Sequence, residues 1–160
     1  MRLSILAVGR QKRGPEQELF DSYIKRATAQ GRSLGITGIS LKELPESTAQ
    51  TVALRKADEA ERLLAQIPAK AVVVALDEHG TNPDSVTFSG HIRAWLDAGA
   101  SDAAFLIGGP DGHGEAALAR AQLKLSLGNM TWPHGLARVM LAEQIYRSVT
   151  ILLNHPYHRV

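Results

Sequence analysis

Apolar positions along this chain switch repeatedly between two spacings. One is the continuous run of a buried strand and the other is the three-to-four-residue period of a helix. Leu3–Val8 is a short apolar run that stops at Gly9, which predicts a first strand and a turn. Pro15 can open a helix that carries Leu19, Phe20, Tyr23, Ile24 and Ala27 on one stripe. Ile36–Leu44 reads as a second strand. Ser47 or Thr48 is the expected cap of a helix reaching Ile67, with an apolar stripe of Val52, Leu54, Ala57, Ala60, Leu63 and Leu64. Ala71–Leu76 is apolar throughout, as in a strand covered on both faces, and is expected to end at Asp77-Glu78-His79-Gly80. A helix over Ser85–Ala98, a second all-apolar strand over Ala103–Ile107, and a short helix over Glu115–Ala121 follow. A short strand within Leu123–Leu127, a long helix over Leu136–Leu153 and a tail from Asn154 complete the pattern. Strands alternating with helices predict an α/β fold with a mainly parallel sheet flanked by helices.

Length and composition narrow the class. A chain of 160 residues is one domain's worth, so residues 1–160 are expected to form a single domain. With 44% hydrophobic and 21% charged residues it has the usage of an ordinary globular protein, not of a disordered or fibrous one. It has no cysteine, which excludes disulfides, thiolate metal sites and cysteine nucleophiles and fits a cytoplasmic protein. No apolar run approaches the roughly 20 residues of a membrane span, so no membrane partner is expected. The opening residues are read as a strand, not as a secretory signal. The formal charge is only +2, so the location of the basic residues matters more than their sum.

In parallel α/β sheets ligands bind beyond the carboxyl ends of the strands. That rule nominates the segments after Leu76 and Ile107. The second, Gly108-Gly109-Pro110-Asp111-Gly112-His113-Gly114, has four glycines in seven positions, so a ligand can approach its main chain closely. Its continuation matches the relaxed dinucleotide pattern G-x-G-x-x-A from Gly112 to Ala117. The match comes late in the chain and lacks a following acidic residue, so a dinucleotide oxidoreductase is the weaker reading. Leu125–His134 mixes Leu, Met130 and Trp132 with Asn129 and Thr131, which suits either an aromatic ligand or plain core packing. The last helix and tail offer His134, Arg138, Glu143, Tyr157, His158 and Arg159 as acid–base or phosphate-binding groups. Glu143 and Arg147 are also spaced to pair as neighbours on one helix. Arg10, Lys12 and Arg13 form a basic cluster beyond the first strand, suited to RNA phosphate or simply to solvent. The histidines show no metal-ligand spacing, and no metal is expected.

Together, Leu106–Gly112, Leu125–Leu127, Met130–His134, Leu136–Arg147 and the tail Asn154–Arg159 resemble the bacterial 23S rRNA pseudouridine N3-methyltransferases. These are minimal SPOUT-class enzymes, and the resemblance runs the whole length of the chain. It implies a C-terminal trefoil knot, S-adenosylmethionine as cofactor and a homodimer that methylates 23S rRNA in the assembled ribosome. It implies that Leu76, Gly108, Leu127, Gly128, Asn129, Met130, Thr131 and Trp132 wrap the cofactor, and it draws the catalytic groups from His134, Arg138, Glu143, Tyr157, His158 and Arg159. No DNA partner is implied. Asp111, His113 and Trp132 depart from the family pattern, which often has glutamate, leucine and a smaller apolar residue at these places. A chain this short has no separate RNA-binding domain, so two protomers are expected to build the RNA site. A ribosome-binding module that keeps the fold without the activity is the remaining rival.

Overall fold

The computed structural model describes residues 1–158. Its strands are β1 (Arg2–Val8), β2 (Gly38–Leu44), β3 (Val72–Thr81), β4 (Asp102–Ile107) and β5 (Leu123–Leu125). Its helices are α1 (Pro15–Gly31), α2 (Val52–Leu64), α3 (Ser85–Asp97), α4 (Glu115–Arg120) and α5 (His134–Leu152). A 3₁₀ turn, Arg32–Leu34, follows α1. The strands form one sheet in the order β2-β1-β4-β3-β5, and every pairing is parallel. The alternation of strand and helix patterns thus yields the expected architecture.

Alternate residues of each strand point to opposite faces, so the sheet carries two cores. Leu3, Ile5 and Ala7 of β1 join Phe105, Phe20 of α1, Phe88 and Ile92 of α3, and Leu141, Ile145 and Val149 of α5. Leu6 and Val8 of the same strand join Ala60 and Leu63 of α2 and Ala117 of α4 on the other face. Helices α1, α3 and α5 therefore cover one face and α2 and α4 the other. This double cover explains the uninterrupted apolar runs of β3 and β4.

Three expectations are corrected. Neither Ser47 nor Thr48 caps α2: Thr51 Oγ1 accepts the Leu54 amide (3.2 Å), while the Ser47 amide donates to Glu59 Oε1 (2.8 Å). The helix starts later as a result, and Val52, Leu54 and Ala57 face solvent while Ala60 and Leu63 are buried. Strand β3 does not stop at Leu76. Its pairing with β5 resumes at Thr81 after a bulge, so Asp77–Gly80 is thrown out of the ladder at the carboxyl edge of the sheet. Strand β5 is shorter than expected and leaves Ser126–Pro133 as a loop leading into α5.

Candidate active site

The carboxyl ends of β3, β4 and β5 open onto a cavity of about 290 Å³. It is bounded by the β3 bulge, the glycine-rich loop after β4 and the loop between β5 and α5. Its lining combines apolar side chains (Leu76, Leu125, Leu127, Met130, Trp132) with the carboxylates Asp77, Glu78 and Asp111 and with exposed main chain.

The glycine-rich loop is shaped by close contacts. Gly112 donates to the Gly109 carbonyl (2.9 Å) and has a positive φ of 82°, closing a tight turn. A Cβ on Gly108 would lie 3.0 Å from the Gly112 carbonyl carbon and 3.1 Å from the His113 amide nitrogen, so a side chain there would push the turn aside. A Cβ on Gly114 would lie 2.4 Å from the Lys56 carbonyl of α2. Gly114 is therefore pressed beneath α2 and not presented to a ligand, and the six-residue α4 that follows is a short cover on the sheet. Both facts remove the dinucleotide reading of Gly112–Ala117. On the loop's outer side Asp111 pairs with Arg55 of α2 (2.7 Å). The shared hydrogen bond holds the Asp111 carboxyl below its ordinary range and raises the guanidinium.

Of the eight residues expected to wrap a cofactor, Leu76, Gly108, Leu127, Gly128, Met130, Thr131 and Trp132 line this one cavity. Asn129 sits on the same loop but not on the lining. Met130 is 73% and Trp132 40% exposed, so neither is a core residue. The loop is tied locally by Ser126, whose hydroxyl bonds both the amide and the carbonyl of Gly128.

The expected catalytic groups fall into three places. His134 opens α5, is exposed and lines the cavity. Arg138, one turn on, is 2% exposed and donates to Glu43 and to the Gly9 carbonyl (2.7 Å). Glu143, Tyr157 and His158 gather round Arg147 near the far end of α5. Glu143 Oε1 accepts from Arg147 Nε (2.9 Å) and from the Tyr157 hydroxyl (3.1 Å), and His158 Nδ1 approaches Arg147 (3.5 Å). The tail thus folds back on α5, with the Tyr157 ring against Tyr146 at 4.7 Å. Burial, then hydrogen bonding to Tyr23 and the charge of Glu143, push the Tyr157 hydroxyl well above its ordinary pKa. Arg159 lies outside the described residues.

The strand-end rule nominated the segment after Leu76, but it did not single out Asp77 and Glu78, which line the cavity. One participant escaped sequence reasoning altogether. Glu43 is 95 positions from its partner Arg138, and nothing local marks it.

Among the described residues no helix is long and apolar enough to cross a membrane, and no cluster of potential metal ligands occurs. The chain is 49% identical over 159 residues to "Ribosomal RNA large subunit methyltransferase H" of Bradyrhizobium diazoefficiens, covering 99% of both chains. It is 46% identical to the protein of the same name from Brucella anthropi, again over 99% of both. Its fold is similar to that of a probable methylase family protein from Haemophilus influenzae Rd KW20, with a TM-score of 0.50 and 12% identity, over 99% of this chain and 70% of that one. The model of the family described as "Predicted SPOUT methyltransferase" matches residues 1–158, and the chain belongs to the SPOUT methyltransferases.

Proposed function

We propose that this chain methylates N3 of a pseudouridine in large-subunit 23S rRNA, using S-adenosylmethionine. It acts as a cytoplasmic homodimer on the assembled 70S ribosome. On this reading residues 1–160 are one domain whose C-terminal segment is threaded as the trefoil knot that family membership implies. The observation that carries the reading is the convergence of Leu76, Gly108 and the Leu127–Trp132 loop on one cavity in a chain so similar, end to end, to the large-subunit rRNA methyltransferases.

The cavity's chemistry fits that cofactor. Leu76, Leu127, Met130 and Trp132 offer apolar and aromatic contact to a purine, and the main chain of the two loops offers amides and carbonyls. Asp77 and Glu78 offer negative charge to a cationic ligand. When bound, S-adenosylmethionine supplies a methyl group on a sulfonium, already activated for transfer. The protein's share of the rate enhancement is then mostly alignment of the acceptor nitrogen. In the transfer a carbon–nitrogen bond forms at N3, the carbon–sulfur bond breaks, and the N3 proton leaves to a base or to water. His134, exposed on the lining of the cavity, is an imidazole able to take that proton.

Glu143 lies nine positions after His134, about 14 Å along the helix axis, where with Arg147 it lines a neighbouring cavity that shares Leu125 and Leu127 with the first. A second protomer bringing Tyr157, His158 and Arg159 to the mouth of the first cavity completes the set. The helix face around the neighbouring cavity, of about 600 Å³, mixes Leu19, Tyr23, Phe88, Val139 and Met140 with Asp84, Glu143, Gln144 and Arg147, and Leu19 and Val86 are largely exposed; an apolar centre among polar groups suits such a pairing.

The test is isothermal titration with S-adenosylmethionine and S-adenosylhomocysteine, followed by transfer of tritiated methyl groups to ribosomes lacking the modification. Saturable binding of both ligands is expected, and it should be lost in Gly108→Arg although that variant keeps the wild-type circular dichroism spectrum. Label is expected at N3 of one pseudouridine in 23S rRNA. A folded wild-type protein that binds neither ligand, or label on protein or another base, overturns the reading.

A further inference from the structure

Beside the cofactor cavity lies a second cleft, of about 580 Å³, between the Gly9–Glu16 loop and the first turn of α5. The two share Pro110 and His134 as lining residues, so they adjoin. Three features give this cleft an affinity for phosphate. Arg10, Lys12 and Arg13 line it, are exposed, and make no ion pair among the described residues. The N-termini of two long helices meet there: α1 begins after Gly14 and α5 after Pro133, and neither first turn receives a side-chain cap. The leading amides of α5 and those that follow Pro15 in α1, at the positive ends of the helix dipoles, have no side-chain acceptor, although Glu16 and Glu18 lie in the first turn of α1. The third is Arg138, which lines the cleft, is 2% exposed and has an Nε without a partner. Glu16 and Glu46 also face the cleft, but three free cations and two helix ends outweigh them.

One partly buried ion pair ties the walls of the cleft together. Arg138 reaches from α5 to Glu43 at the end of β2, and it donates to the Gly9 carbonyl (2.7 Å). The same Glu43 oxygen accepts the amide of Gln11 (2.8 Å). Gly135, in the first turn of α5, packs on the Gln11 side chain, where a Cβ would come within 3.2 Å of the amide nitrogen. The base of the basic loop is thus clamped to the helix start that also ends the Met130–Trp132 cofactor loop.

We propose that this cleft grips the sugar–phosphate backbone of the RNA substrate, and that the Arg138–Glu43 pair holds the basic loop at the distance the grip requires. The proposal rests on the RNA-methylating function above. It makes the Arg138–Glu43 pair the positioning element, with the unpartnered Nε of Arg138 left for the phosphate it positions. Three cations within four positions and two helix ends suit successive phosphates better than a single small anion. A backbone held there delivers a neighbouring base to the shared rim at Pro110 and His134.

The test measures filter binding of a labelled 23S rRNA transcript across about 50 to 200 mM KCl, with S-adenosylhomocysteine titrations run alongside. In the triple variant R10A/K12A/R13A the slope of log K against log salt is expected to become shallower by about two to three, with cofactor affinity unchanged. Glu43→Gln leaves all three cations in place. It is expected to raise KM for ribosomes about tenfold with kcat and S-adenosylhomocysteine affinity close to wild type, a split that general loosening of the fold would not give. A wild-type salt slope in the triple variant, or a wild-type KM in Glu43→Gln, overturns the proposal. So does displacement of the transcript by a few millimolar inorganic phosphate, which marks a small-anion site. If the wild-type protein binds no S-adenosylhomocysteine, the methylation reading fails by itself, and the salt slopes still decide the cleft.

Discussion

His113 is a buried imidazole whose two ring nitrogens have no partner in hydrogen-bonding geometry. Burial is the largest influence on it and holds its pKa below the ordinary value, with Lys56 pushing the same way. Asp77 and the carbonyls of Leu106 and Leu76 pull it back only in part. The ring is therefore neutral at pH 7 in the folded protein, whereas in the unfolded chain it takes up a proton near pH 6.5. Below that pH the unfolded state binds the extra proton and stability falls, until the pH reaches the lower folded-state value. A leucine at this position leaves no polar atom to satisfy. His113→Leu is expected to raise stability by about 1–2 kcal/mol at pH 7, a few degrees in Tm. It should also remove the part of the loss between pH 7 and 5 that the imidazole causes. Urea unfolding at both pH values measures this, and an unchanged pH slope would count against it. Gly108–Gly114 was legible as a loop at the carboxyl end of the sheet because it follows an apolar strand. The Gly114 contact with Lys56 was not, since it depends on where α2 comes to lie.

Among the elements, α5 does the most varied work. Its inner face is core, with Leu141, Ala142, Ile145 and Val149 fully buried. Its first turn borders both the cavity and the basic cleft, and its far end holds the tail. The apolar period revealed the helix, and i,i+4 spacing revealed the Glu143–Arg147 pair. Arg138, by contrast, could be listed only as a cation, because its partner lies on β2 and no spacing rule spans that distance. Strand β3 shows the same limit: its apolar half was plain, while the bulge that carries Asp77 and Glu78 to the cavity is set by pairing with β5. Tyr157→Phe tests the far end of α5. It deletes one hydrogen bond to Glu143 and keeps the ring beside Tyr146 and beneath Arg147. Stability is expected to change by about 1 kcal/mol or less. Methyl transfer is expected to fall about tenfold or more, within the range for a lost acid–base or orienting contact. Cofactor affinity is expected to stay as in wild type, and full activity would remove Tyr157 from the reacting set.

At the scale of the whole molecule the arrangement is split. On the proposed reading the cavity lies at the start of α5 and the tail cluster along its second half, so a protomer alone would hold two incomplete halves of one site. If two copies exchange tails across the outer face of α1, α3 and α5, each complete site draws its cofactor loops from one copy and its tail from the other. Mixed dimers decide between this arrangement and one where each copy is self-sufficient. Gly108→Arg disables the cavity and Arg159→Ala disables the tail, so each homodimer should be inactive. In a heterodimer with exchanged tails, both lesions fall in one site and the other site is intact. Random mixing of equal amounts makes half the dimers mixed, and half the sites in those are whole, so about a quarter of wild-type activity returns. With self-sufficient copies every site carries one lesion and no activity returns at any ratio. The measurement is methyl transfer to ribosomes after co-refolding the two variants.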